Sequence, residues 1–180
     1  MRMDPWLPHP QSVTALILVL DAGASGAAAM PMALDSAAEV ARSVANLKRR
    51  CGSAIVATTG DPRPYQGFGR VVGPPQGREA GPLACLEAGM LAARTPWLLV
   101  IPAGLPEVPA EVLADLLRTL RSQPVMRLVI PTDGDRVQPW VSAMRRTTLP
   151  DLGRFLDAGG SDIFDWLEVT PHARVNVGSG

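Results

Sequence analysis

The sequence predicts a three-layer α/β sandwich with a mainly parallel sheet, and three observations predict it. The run VTALILVL, residues 13–20, is short, apolar at every position but one and closed by polar and glycine residues, as a strand buried on both faces requires. WLLVI, residues 97–101, repeats the pattern. Around these runs apolar residues recur at helical spacing, so strands and helices alternate along the chain, the order that builds a parallel sheet covered on both faces.

Each element has its own signal. After the first strand, Ser36 with Glu39 forms a capping box, and Val40, Val44, Leu47 and Cys51 follow at helical spacing until Gly52. AIVATT, residues 54–59, is the second strand, and RVV, residues 70–72, a short third. Pro82 opens a helix that turns Leu83, Leu86, Met90 and Leu91 inward. Pro109 sits near the start of another, whose face is Val112, Leu113, Leu116, Leu117 and Leu120. RLVI, residues 127–130, returns as a strand, and Asp133-Gly134 marks a turn before WVSAM, residues 140–144. A helix over 149–158 follows, then one capped by Ser161 that points Ile163, Phe164, Trp166 and Leu167 inward, then a last strand at ARVNV. The runs at 13–20, 54–58, 97–101 and 127–130 are expected side by side in one sheet.

Composition bounds the partners. With 180 residues and 47% hydrophobic content the chain fills one core, residues 13–180, behind an N-terminal extension of residues 1–12. Seventeen basic residues balance seventeen acidic ones without a block of either sign, which points away from nucleic acid and membrane surfaces and towards a small or neutral partner. No run reaches the roughly 20 apolar residues of a membrane span. Cys51 and Cys85 lack a metal-ligand or CxxC spacing and read as buried thiols of a cytoplasmic chain. Arg2, the first apolar run and the GAAA that follows loosely imitate a secretory signal, but Asp21 and the lead MDPWLPHPQ argue against one.

In such sheets ligands bind beyond the carboxyl ends of the strands, which directs attention to the loops after Leu20, Thr59 and Ile101. Here the chain resembles a known family. GPLACLEAGMLAARTPWLLVIPAGLPEVPAEVLADLL, residues 81–117, QPWVSAMRRTTLPDLGRFLDAGG, residues 138–160, and the closing RVNV are similar to the molybdenum cofactor guanylyltransferases, the MobA-like nucleotidyltransferases. The resemblance covers most of the chain from Val13 onward and implies a Rossmann-like nucleotidyltransferase fold. It also implies GTP, magnesium and molybdopterin as ligands of an active member. By the same resemblance the nucleotide- and pterin-binding candidates are Gly23, Ser25 and Gly26 in the first loop, Gly81, Pro82 and Leu83 in the GPL turn, and Gln138 and Asn176. A glycine before a helix-opening proline is equally ordinary turn chemistry, so the GPL turn supports either reading.

The departures lie where charge is needed. The family's first loop has the form LAGG-x-S-x-R-M-G followed closely by a lysine, whose amides and cations hold the triphosphate. This chain keeps Gly23 and Ser25, adds Gly26, has Ala27 at the arginine position and no lysine before Lys48. The family's Pro-Cys-Asp after the fourth strand, whose aspartate holds magnesium, is replaced by Pro102-Ala103-Gly104-Leu105. Asp61 and Glu79 read as solvated loop charges with substitution for a missing acid as the alternative, and Glu107 comes too late in the chain to replace the aspartate without reaching back from the following loop; Arg145 and Arg146 read as a solvated pair with a pterin phosphate as the alternative, and His9 and His172 as loop residues without metal partners. No metal site and no catalytic residue are assigned. The expectation is a divergent, catalytically impaired MobA-like protein of molybdenum cofactor handling, with a pterin, a nucleotide, a molybdoenzyme or a maturation protein as partner. The alternatives are an active GTP- or CTP-dependent transferase acting on molybdopterin or a sugar phosphate, and a non-enzymatic scaffold.

Overall fold

The computed structural model describes residues 4–20 and 36–178. Its elements run β1 (Val13–Val19), α1 (Ser36–Leu47), β2 (Ser53–Thr58), β3 (Arg70–Val72), α2 (Pro82–Ala92), β4 (Trp97–Pro102) and α3 (Ala110–Ser122). Then come β5 (Leu128–Asp133), β6 (Arg136–Val137), β7 (Ser142–Arg145), α4 (Leu149–Asp157), α5 (Ile163–Val169) and β8 (His172–Asn176).

Among the described residues eight strands form one sheet in the order β3-β2-β1-β4-β7-β5-β6, with β8 on the free side of β5. β1 to β4 run parallel, β7 runs against both β4 and β5, and β8 runs with β5, so only β6 and β7 oppose the rest. The mainly parallel sheet of the sequence reading is present. One neighbour relation is corrected: RLVI does not lie beside WLLVI, because β7 is inserted antiparallel between them. The Asp133-Gly134 turn, with Gly134 at φ 58°, closes a tight β5–β6 hairpin, and the chain then returns along β5 as β7.

Every residue of β1 is buried. Because successive strand side chains point to opposite faces, Val13, Ala15, Ile17 and Val19 enter one core with α1 and α3, while Leu16 and Leu18 enter a second with α2, α4 and α5. Thr14, the polar residue of the strand, is satisfied by hydroxyl contacts to Thr95 at 2.7 Å and Ser53 at 3.0 Å. α2 is buried from Pro82 to Met90, and Gly89 is what lets it approach: a Cβ there would stand 2.3 Å from Leu16 Cδ1.

Two boundaries move. α1 ends at Leu47, a turn before Cys51, because residues 48–50 tighten into a turn closed by Arg50 and Cys51 N–H on the Leu47 carbonyl. The side chain of Ser36 lies outside the described atoms, as does any capping box built on it. The cap of α5 is Asp162 rather than Ser161, its Oδ1 accepting from Phe164 N–H at 2.7 Å and Asp165 N–H at 3.3 Å. Residues 4–12 lie against the domain: Asp4 pairs with Arg118 at 2.8 Å and Leu7 packs on the α1–α3 core. Among the described residues no helix is long and apolar enough to cross a membrane.

Cys51 and Cys85 are buried and unpaired, and burial pushes both thiols up to about 12, so they stay protonated at pH 8. Neither should react with a disulfide reagent at that pH in the native protein, and both should react in denaturant; fast native labelling would contradict the burial. Gly89→Ala should destabilise by about 1–3 kcal/mol through overpacking against the fully buried Leu16. A urea midpoint equal to that of the unmodified chain would contradict the packing of α2 on β1.

Candidate functional site

The carboxyl ends of β1, β2, β4, β5 and β8 face one edge of the domain, and α2 begins at that edge because it runs back after β3. The backbone there is held by Ala103 N–H on the Leu18 carbonyl at 2.9 Å and by Thr58 Oγ1, which accepts from Gly60 N–H at 3.1 Å.

The candidates from sequence distribute unevenly along this edge. Gly23, Ser25 and Gly26 lie outside the described residues. Gly81 is the N-cap of α2 in extended backbone, Pro82 occupies the first turn, and both are buried. Leu83 is 1% exposed and packs in the core with Leu16 and Leu18, so its first task is to seat the helix. Gly81 and Leu83 also line a small depression of about 70 Å³ together with Arg78, Glu79 and Gly160. Gln138 is exposed in the turn after β6, its N–H on the Pro131 carbonyl and its carbonyl accepting from Val141 N–H, both at 3.2 Å. It lines a separate pocket of about 170 Å³ beneath the β4 loop. Asn176 ends β8 opposite Thr132, and its Oδ1 accepts from Gly178 N–H at 2.9 Å.

The loop after β4 turns at Gly104, which adopts φ 91°, a backbone that favours glycine. It carries no side-chain oxygen from Pro102 to Pro106. The nearby acids are placed elsewhere. Asp61 is tied to Arg63 at 2.7 Å, which holds its carboxyl below the usual range, and Glu79 is exposed at the rim of the small depression. Glu107 is exposed on a cleft of about 530 Å³ between α1 and the β4–α3 loop, whose lining includes Arg42, Asn46 and Arg49. Hard divalent cations require several anionic or carbonyl oxygens at once. Among the described residues no group of three or more His, Cys, Asp and Glu is arranged to hold a metal ion. The donor set at the end of β4 therefore does not fit magnesium.

The structure also places the two arginines and the two histidines. Arg145 stacks on Trp97, 4.6 Å from the ring centroid, and donates to the carbonyls of Leu120, Gln123 and Met126, closing the end of α3. Arg146 donates to the Met90 carbonyl near the end of α2 at 3.3 Å. Arg145 ends β7 and Arg146 follows it, and β7 runs against β4, so both lie at the end of the sheet opposite the candidate edge. His9 caps the short turn Pro10–Ser12, and His172 Nδ1 lies 3.0 Å from the Thr170 carbonyl.

One constellation escaped the sequence reading. Arg78 makes a two-pronged contact with Glu87, Nε to Oε2 and Nη2 to Oε1 both at 2.8 Å, and a third contact with Asp157 at 2.6 Å. Glu87 above all, then Asp157, holds the guanidinium above its ordinary pKa. The contacts tie the loop before the GPL turn to α2 and α4. The signal was legible in LACLEAGM, where a single glutamate interrupts an otherwise apolar stretch and needs a cation. Phe164 was misjudged as well: it is 46% exposed, while Ile163, Trp166 and Leu167 of the same helix are buried.

An α/β domain built on a sheet of six strands in one direction and two opposed has the fold of the nucleotidyltransferases, and sequence comparison identifies the branch. The MobA-like NTP transferase domain matches residues 31–173, and the chain belongs to that family. A molybdenum cofactor guanylyltransferase of Methylibium petroleiphilum is 29% identical over 128 residues, covering 67% of this chain and 63% of that protein. The chain thus matches a little under two thirds of that relative's length. Another from an Acidovorax species is 28% identical over 159 residues, covering 83% of this chain and 72% of that one. Among solved structures, the molybdopterin-guanine dinucleotide biosynthesis protein A of Archaeoglobus fulgidus superposes with a TM-score of 0.63 over 91% of this chain and 83% of its own. At 16% identity it supports the fold.

Replacing Arg78 with alanine strands the Glu87 carboxylate in the core, so the urea midpoint should fall, and Arg78→Ala/Glu87→Leu should recover part of the loss by removing the orphaned charge. A double variant no more stable than Arg78→Ala would contradict the pairing.

Proposed function

We propose that this chain serves molybdenum cofactor handling as a MobA-like domain that holds a pterin or nucleotide without carrying out nucleotidyl transfer. The observation that carries the proposal is the end of β4, Pro102-Ala103-Gly104-Leu105, which supplies no oxygen ligand where the family resemblance places the magnesium-binding aspartate. Transfer of a nucleotidyl group depends on positioning and on charge stabilisation rather than on a protein nucleophile, so a site without its carboxylate and its loop cations loses most of its means. Ala27 in place of the loop arginine acts in the same direction. The fold survives because it rests on apolar packing. A pterin-containing cofactor, or a molybdoenzyme or maturation protein that carries it, is the partner this reading supplies.

A second reading has one observation in its favour. Glu107, Arg42 and Arg49 all line the 530 Å³ cleft, so a carboxylate and two cations border one space beside the end of β4. An active transferase would use magnesium and GTP there.

The test incubates the full chain with GTP, magnesium and molybdopterin and follows pyrophosphate release. No release above the protein-free background is expected. Release that Glu107→Gln abolishes would overturn the proposal in favour of the second reading. A repair series adds detail. Gly104→Asp alone should restore nothing and destabilise by about 1–3 kcal/mol, since residue 104 sits at φ 91°. Combined with Ala27→Arg and Met32→Lys, it should tighten GTP binding by more than the product of the separate effects, because metal, phosphate and cations act as one site. Strictly additive effects would contradict that coupling.

A further inference from the structure

β8 closes one flank of the sheet: β5 is its strand neighbour, and no described strand lies on its other side. The Pro171 carbonyl accepts from Arg127 N–H and Val177 N–H donates to the Thr132 carbonyl, both at 2.8 Å, so the ladder to β5 runs through residues 171, 173, 175 and 177. His172, Arg174 and Asn176 therefore turn their backbone N–H and C=O groups outward, where none meets a partner among the described residues. An open row of this kind is a template for another strand, and proteins usually blunt it with short strands, proline or bulges. The opposite flank is blunted in that way, since β3 has three residues and runs into Gly73-Pro74-Pro75. β8 carries no proline, and its register with β5 is unbroken. Its two faces differ. On one, Ala173 and Val175, with Val112 of α3, are partly buried at the margin of the α1–α3 core. On the other, His172 and Arg174 line a groove of about 410 Å³ with Phe164, Leu167 and Glu168 of α5. Arg174 is exposed, and its guanidinium makes no ion pair or hydrogen bond to another described residue. Glu168, the acid of the groove, stands on the helix rather than on the strand.

We propose that β8 is a docking edge for an extended segment of a partner protein, added as a further strand, whose side chains alternate between apolar on the α3 face and acidic on the α5 face. Main-chain hydrogen bonds to residues 172, 174 and 176 supply affinity whatever the sequence, and the two faces supply the choice. An acidic side chain on the α5 face meets the unpaired Arg174, and a basic one is repelled by it. A second copy of this chain is the poorer occupant. Full antiparallel overlap of two β8 strands sets Arg174 opposite Arg174, and like charges directly opposite each other destabilise a strand pair. β7 and β5 separate β8 from β4, so docking here is independent of what the β4 loop binds.

The experiment uses the full chain and two short peptides, one alternating valine with glutamate and one alternating valine with lysine. Fluorescence anisotropy of the labelled peptides reads affinity, and amide hydrogen exchange followed residue by residue by NMR reads where they sit. The glutamate peptide should bind about fivefold tighter than the lysine peptide, and Arg174→Glu should reverse that preference. Bound peptide should slow exchange at the N–H groups of residues 172, 174 and 176, while those of 173 and 175, already bonded to β5, change little. Arg174→Pro removes one outward N–H and no bond to β5, so it should weaken both peptides while circular dichroism stays that of the unmodified chain. Should that variant misfold, the preference reversal by Arg174→Glu still decides. Binding that ignores the charge at position 174, or unchanged exchange at 172, 174 and 176 with millimolar peptide, would overturn the docking edge. Slow exchange at these amides in the peptide-free chain, together with a dimer in sedimentation, would overturn it too, since a second copy would then hold the edge.

Discussion

The structure depends on the burial of β1 on both faces. A strand held between β2 and β4 has no solvent side, so each of its residues must find a place in one of two cores. The odd-numbered residues meet α1 and α3 and the even-numbered leucines meet α2 and its neighbours, so one seven-residue run orients three layers at once. Its polar member, Thr14, sits at the amino end in a hydroxyl cluster, and the carboxyl end arrives at the edge purely apolar. Whatever chemistry the edge carries must therefore come from the loops that follow the strands.

Those loops are positioned by contacts of unequal kind. α2 is pressed onto β1 at Gly89, and the loop before it is fastened by the Arg78, Glu87 and Asp157 contacts, so the GPL turn is held from both sides. At the end of β4 the chain instead turns at Gly104, with proline on either side of the turn and no charge. Among the described residues the edge thus combines a well-fastened turn before α2 with a β4 loop that offers no side-chain oxygen from Pro102 to Pro106.

Much of the fold was legible because its signals are local. Strand ends fell within a few residues in β1, β2 and β4, where turn residues bracket apolar runs, and α2 and α3 opened at their prolines. The placement of β7 was not legible, since strand order is set by how the Asp133-Gly134 hairpin folds back, a long-range outcome no periodicity records. Site residues were less legible still. Leu83, a candidate for ligand contact, is first a core residue. The arginines at 145 and 146 follow a strand, as ligand-binding residues often do, yet that strand is antiparallel and delivers them to the wrong end. Phe164 was assigned inward by helical spacing, and only the three-dimensional placement of α5 beside the β4 loop exposes it. The missing carboxylate at 104 and the missing arginine at 27 were readable directly, because each is a matter of residue type.

Calorimetric titration of GTP into the unmodified full chain, with magnesium and again with the metal chelated, decides most directly whether this edge has lost its triphosphate chemistry. Binding no tighter than about 100 μM, and the same in both conditions, is the predicted result. A tenfold or greater tightening by magnesium would contradict it.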